Sequence, residues 1–120
     1  INNKNIVYMK HSNIKLFKVN KYYFLCTPLD HTDKNMKKKV TFLFNTHYFQ
    51  YNLIEYAINN KRDIYFYYTL HDNKKIKVFC QKIELKNKSI NNVIQNISNE
   101  MTKIILKNPE QYLWNYNIFN

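Results

Sequence analysis

The chain of 120 residues contains no glycine. Glycine normally occupies backbone positions with positive φ, at tight turns and just after helices. Its absence excludes the glycine-rich phosphate loops of P-loop and dinucleotide-binding proteins, and the G-x-S-x-G elbow of serine hydrolases. It also predicts that asparagine takes the left-handed positions, because Asn tolerates that region better than most other residues.

The length fits one domain spanning residues 1–120, or part of a larger domain. No apolar run reaches the roughly 18 to 20 residues that a membrane-spanning helix needs, and the first residues lack the order of a secretory signal peptide. The chain begins at Ile1 rather than Met. This favours a piece of a longer protein over a processed product.

The formal net charge of +11 is typical of proteins that bind nucleic acid or anionic lipid. However, Arg62 is the only arginine among 19 basic residues, and arginine is the residue favoured for phosphate recognition. Lys, Asn, Ile and Tyr all have AT-rich codons, so genome composition explains the charge. We therefore expect no nucleic-acid partner. The lysine run Lys34–Lys39 is a solvated face or a site for anionic headgroups or an acidic carrier protein.

Hydrophobic patterns predict the elements of the first half of the chain. They are a short helix over Asn13–Lys21, a buried strand over Tyr22–Pro28, a charged loop over Leu29–Lys39, an apolar run over Val40–Phe44 and an amphipathic helix over Phe49–Asn60. Lys61 and Arg62 follow that helix, where its C-terminus favours cations.

The second half predicts a hairpin and a long helix. Asp63–Leu70 and Lys75–Leu85 are β-rich, and Asp72 and Asn73 between them suit a tight turn. The tyrosines of the first strand favour strand packing over a base-stacking platform. Apolar residues then recur at helical spacing over Ser89–Lys107, with Ser89 available as the N-cap. Together these elements predict an α/β fold.

Chemical motifs are scarce. Cys26 and Cys80 stand in apolar stretches without metal-ligand spacing, which indicates buried thiols in a reducing compartment rather than a disulfide. We expect no metal or other cofactor. The densest ionisable cluster is Pro28–Asp33, directly after a predicted buried strand, where α/β sheets often place functional loops. Asp30 and His31 are therefore candidate substrate-binding residues, the alternative being a solvated loop.

The tail combines residue types that are rare in this chain: Pro109, Glu110, Gln111 and Trp114. Pro109 ends the long helix and pre-sets the first turn of another. Glu110 then lies where a helix N-terminus favours negative charge. The pattern predicts a capping turn in which Trp114 seals one edge of the fold.

The segment Pro109–Trp114, "PEQYLW", resembles the signature near the end of bacterial lipid A biosynthesis acyltransferases, the lauroyl/myristoyl transferase family. Phe119 matches a later aromatic position, whereas Tyr116, Asn117, Ile118 and Asn120 replace the family's His, two Arg and Lys. Upstream, Tyr22–His31 is similar to the family's buried strand and Asp-Gln pair, with Asp30 on the Asp and His31 in the Gln place. Val40–Gln50 resembles the segment that follows.

The resemblance implies the C-terminal part of a glycerolipid-acyltransferase-like fold, a mixed β-sheet with flanking helices. It implies transfer of a fatty acyl chain from acyl carrier protein to a lipid A precursor, at the cytoplasmic face of the bacterial inner membrane. The family's catalytic His-x4-Asp motif is absent here, because the positions five after the four histidines hold Leu16, Met36, Asn52 and Ile76. The resemblance therefore implies either that the catalytic part of the enzyme precedes this chain or that the chain is a degenerate relic of such an enzyme.

Two alternatives remain beside the acyltransferase interpretation. One is a small basic module that binds nucleic acid or an anionic membrane surface, and the other is an unrelated α/β domain. The scarcity of arginine and the lack of glycine count against the basic binding module, because such a module would then have few of the groups that recognise phosphates.

Overall fold

A computed structural model of the chain describes residues 25–28, 37–86 and 88–112. Its elements are strands β1 (Lys37–Phe42) and β2 (Asn45–Gln50), helix α1 (Asn52–Asn59), strands β3 (Ile64–Asp72) and β4 (Lys75–Ile83), helix α2 (Ile90–Lys107) and a 3₁₀ turn, Pro109–Gln111, here named the PEQ turn. The described strands pair as two antiparallel hairpins, β1 with β2 and β3 with β4. This mixture of strands and helices confirms the predicted α/β class.

Helix α2 organises the hydrophobic core. Ser89 is its N-cap, with the hydroxyl accepting a hydrogen bond from the Asn92 N–H at 3.3 Å, which confirms the predicted start. The apolar stripe of the helix faces inward and packs mainly against β1. The buried apolar residues are Val40, Phe42, Leu43, Phe49, Ile54, Ile83, Val93, Ile94, Ile97 and Ile105.

Polar side chains of α2 fix β1 against the helix. The Gln95 amide accepts a hydrogen bond from the Thr41 N–H at 2.9 Å and donates one to the Thr41 carbonyl at 2.9 Å. The buried Ser98 hydroxyl donates to the same carbonyl at 2.7 Å. Phe42 and Asn45 close the turn as a hydrogen-bonded pair, and Thr41 and Thr46 form the next pair. Because hydrogen-bonded pairs alternate with pairs that are not hydrogen-bonded, the Thr41 backbone groups point away from β2. Helix α2 therefore covers the outer edge of β1.

Two predictions around this hairpin are wrong. Lys37–Lys39, predicted as loop, belongs to β1, and Phe49 and Gln50, predicted as helix, belong to β2. The hairpin was missed because its turn consists of Leu43 and Phe44 rather than residues that signal a turn. The helix prediction is confirmed over Asn52–Asn59. In the lysine run, the Lys38 ammonium lies 4.9 Å from the centre of the Tyr51 ring.

The predictions near the two cysteines also need correction. Leu25–Pro28, the described part of the predicted strand Tyr22–Pro28, has no regular secondary structure. Both thiols are free and exposed rather than buried. Cys80, which lies opposite Tyr67, is exposed because the residues of β4 from Lys75 to Lys82 are exposed on both faces of the strand. The predicted helix Asn13–Lys21 lies outside the described residues.

Without glycine, the fold places other residues at positive φ. Asn73 does so at 54° in the β3–β4 turn, as predicted, but Leu43, Phe44 and Lys61 do so too, at 48°, 66° and 52°. Lys61 takes the position after α1 where glycine usually stands, and the Arg62 N–H then bonds the Ala57 carbonyl at 2.8 Å. The expectation that only asparagine takes these positions is therefore wrong.

Phe44→Gly should raise the free energy of unfolding by about 1 kcal/mol, because glycine removes the cost of a side chain at positive φ. Phe44 is 79% exposed, so its removal loses little packing. Urea unfolding monitored by circular dichroism measures the change. Tyr48→Gly is the control, since it removes an exposed aromatic residue from a regular strand position and should destabilise the chain. A Phe44→Gly protein less stable than wild type would contradict the account of the turn.

Candidate functional site

The PEQ turn follows α2 directly. The Asn108 N–H bonds the Ile104 carbonyl at 3.1 Å, and its side-chain amide donates to the same carbonyl at 3.1 Å. Pro109 then occupies the first position of the turn, and the Gln111 N–H bonds the Asn108 carbonyl at 3.1 Å. Pro109 thus ends α2 and starts a new turn, as the sequence predicts, although the turn is 3₁₀ and covers three residues.

Gln111 links the PEQ turn to strand β3. Its side-chain oxygen accepts a hydrogen bond from the His71 N–H at 2.7 Å, and its amide nitrogen donates to the His71 carbonyl at 3.1 Å. The same nitrogen lies 3.4 Å from a Glu110 carboxylate oxygen. This two-bond contact fixes the end of β3 to the end of α2.

An open groove of about 1310 Å³ lies between β3 and the helices. One wall is the strand segment 63–70, and the opposite wall includes Ile97, Met101, Ile104 and Ile105 of α2. Leu53, Ile54 and Ala57 of α1, Val78 and Cys80 of β4, and Tyr112 also line the groove. The groove is therefore partly open to solvent and lined mainly by aliphatic and aromatic side chains.

Charge is concentrated at one end of the groove. Lys61, Arg62 and Asp63, the charged residues that line it within the described part of the chain, are consecutive. Asp63 already forms an ion pair with Lys82 at 2.9 Å, and its hydrogen bond raises the pKa of the Lys82 ammonium. Two cationic side chains thus line one end of a groove whose lining is mostly apolar.

Buried polar side chains cluster near β2, away from the groove. His47 packs edge-on against Phe42, with ring centres 5.6 Å apart. The Gln50 side-chain oxygen is buried and has no hydrogen-bond donor in the part of the chain that the structure describes. Residues 25–28, 37–86 and 88–112 contain no group of three His, Cys, Asp or Glu side chains able to hold a metal ion.

The candidate residues from the sequence divide into two sets. Asp30, His31 and Trp114 lie outside the described residues, whereas Pro109, Glu110 and Gln111 form the PEQ turn. Leu25–Pro28, just before Leu29 and Asp30 in the chain, lines the groove.

Sequence patterns did not identify the groove itself. Met101 and Ile104 belong to the predicted stripe of α2 but are only half-buried and line the groove. The sequence pattern indicates Lys61 and Arg62 only as cations that follow a helix. One sequence feature could have indicated the groove: the apolar stripe continues to the last turn of α2, beyond the segment that β1 covers.

The chain matches no protein-family model, and no curated protein or solved structure matches it significantly. No helix among the described residues is both long and apolar enough to cross a membrane. The described residues therefore define an α/β protein with two antiparallel hairpins and a largely apolar groove, and no family is assigned.

Proposed function

We propose that the chain is the C-terminal part of a lipid A biosynthesis acyltransferase and that its groove holds the fatty acyl chain during transfer. The observation that carries this proposal is an apolar groove with two cations at one end. The "PEQYLW" resemblance supports the family, and the groove supports the type of ligand. The acyl donor is acyl carrier protein and the acceptor is a lipid A precursor.

An acyl chain suits this groove energetically. Burial of each methylene contributes about 0.8 kcal/mol, and Met101, Ile104 and Ile105 offer a continuous apolar surface along α2. Lys61 and Arg62 would attract the carboxylate of a free fatty acid or the acidic surface of a carrier protein. The chain therefore provides binding and positioning of the acyl group.

The catalytic base would come from the part of the enzyme that precedes this chain, because none of its histidines has the His-x4-Asp spacing. That part would also supply the further strands of a mixed sheet. The resemblance implies that this part of the chain contacts the membrane surface at the cytoplasmic face of the bacterial inner membrane. Asp30 and His31 stay candidates for substrate contact.

Ile104→Glu should reduce the affinity for a 12-carbon fatty acid at least about tenfold, because a bound chain would have to desolvate the new carboxylate. Ile104 lines the groove and is half-buried. Isothermal titration calorimetry measures the affinity.

Leu106→Glu is the matched control, since Leu106 is exposed on the same helix and does not line the groove. It adds the same charge, and the affinity should stay within about twofold of wild type. Equal losses in the two variants would show that the carboxylate acts through net charge. Unchanged binding by Ile104→Glu would contradict the proposed groove.

A further inference from the structure

Strand β3 has one edge paired with β4 and one edge that no other described strand pairs with. Asp72 and Lys75 flank the two-residue turn, so they form a hydrogen-bonded pair. Along an antiparallel ladder, hydrogen-bonded pairs alternate with pairs that are not hydrogen-bonded. The backbone groups of Tyr65, Tyr67, Thr69 and His71 therefore point away from β4. The direction of the Gln111 contact at His71 agrees with this assignment.

The outer edges of β1 and β3 are covered to different extents. Gln95 and Ser98 cover β1 at Thr41. On β3, the Gln111 amide covers His71, while the outward backbone groups of Tyr65, Tyr67 and Thr69 have no hydrogen-bond partner among the described residues. The Gln111 amide makes the same two-bond contact that a neighbouring strand would make. Edges left open in this way are templates for strand pairing.

We propose that β3 pairs along this edge with β3 of a second copy of the chain, antiparallel and about a two-fold axis at Tyr67. Tyr67 then lies opposite its own copy, and Tyr65 lies opposite Thr69 of the other copy. Each of these pairs can exchange two N–H···O bonds. Gln111 ends the ladder at His71 and so sets its length.

Side chains in this register are complementary. On one sheet face, Ile64 meets Leu70 and Phe66 meets Tyr68 of the other copy, which are favourable cross-strand pairs. The open backbone positions Tyr65, Tyr67 and Thr69 are symmetric about Tyr67. An antiparallel self-pairing about any other residue of β3 would pair fewer of these three positions with one another. The segment 64–70 is therefore self-complementary about Tyr67.

The outer edge of β4 is a poor alternative. Strand β4 carries Lys75, Lys77 and Lys82 and no acidic residue. Self-pairing there would bring lysines together, and edge lysines are a common device against strand addition. The inference rests on the backbone edge of β3, and the mass of the assembly tests it separately from fatty-acid binding.

Proline variants test which edge associates. Tyr67→Pro removes an N–H from the outer edge of β3, and Val78→Pro does the same on β4; neither removes a β3–β4 hydrogen bond. Light scattering after size exclusion, at high micromolar concentration, should give twice the mass of one chain for wild type and Val78→Pro. Tyr67→Pro should give the mass of one chain. A monomeric wild type, a dimeric Tyr67→Pro or a monomeric Val78→Pro would overturn the proposal.

A cross-link tests the register even if proline disturbs folding. The background carries Cys26→Ser and Cys80→Ser, because Cys80 lies opposite Tyr67 within one chain and would capture a new thiol. Tyr67→Cys in this background should form a disulfide-linked dimer on mild oxidation, because residues facing each other on paired strands lie within disulfide range. Val78→Cys should stay largely monomeric. Equal cross-linking of both variants, or none at Tyr67→Cys, would contradict the axis.

Discussion

Phe42→Ala should lower the free energy of unfolding by about 3 to 5 kcal/mol, because truncating a fully buried aromatic residue loses its burial and leaves a cavity. Phe42 has no exposed surface. Its ring contacts those of Phe49 and Tyr112 edge-on, at centroid distances of 5.2 and 6.4 Å. It thus joins the first hairpin to the residue that follows the PEQ turn, and urea unfolding should show the loss.

Phe79→Ala provides the control for Phe42→Ala. Phe79 is 40% exposed and stacks on Tyr68 with ring centres 4.9 Å apart, so its loss should cost about 0.5 to 1.5 kcal/mol. Domains are typically stable by only about 5 to 15 kcal/mol, and the difference between the variants is therefore easily measured. A Phe42→Ala change no larger than that of Phe79→Ala would contradict the placement of the core.

The second large effect concerns the length of a bound acyl chain. Each methylene that leaves water for the apolar groove contributes about 0.8 kcal/mol, or about fourfold in affinity. Lengthening a fatty acid from 8 to 12 carbons should therefore strengthen binding about 200-fold. The aliphatic wall formed by Ile97, Met101 and Ile104 supplies the surface for this gain. Calorimetric titration of the even-numbered fatty acids measures the affinity at each length.

Elements with a strong local signal were predictable from the sequence. Helix α2 combines a long apolar stripe with a Ser89 cap and a following proline, and the β3–β4 turn carries Asn73. In each case the residues that form the element also mark its ends. The hairpin β1–β2 lacks such marks, because Leu43 and Phe44 occupy its turn. Leu43 is buried, and its N–H bonds the Thr102 hydroxyl at 3.2 Å, so contact with α2 accompanies the unusual turn.

The candidate site was less predictable, because it depends on contacts between distant segments. Gln111 and His71 are 40 positions apart, and Gln95 and Thr41 are 54 apart. A glutamine in a helix gives no sequence signal that its amide will cover a strand edge. Similarly, Cys80 stands in an apolar run that predicts burial, yet it is exposed, since β4 is exposed on both faces from Lys75 to Lys82. Apolar runs show strands but not whether other elements cover them.

The measurement that tests the groove most directly is the titration of 8-, 10- and 12-carbon fatty acids into wild type, Ile104→Glu and Leu106→Glu. The account predicts an affinity gain of about fourfold per methylene in wild type and Leu106→Glu, and a much smaller gain in Ile104→Glu. An affinity independent of chain length would contradict it. So would an equal gain per methylene in Ile104→Glu, because the chain would then bind somewhere other than along α2.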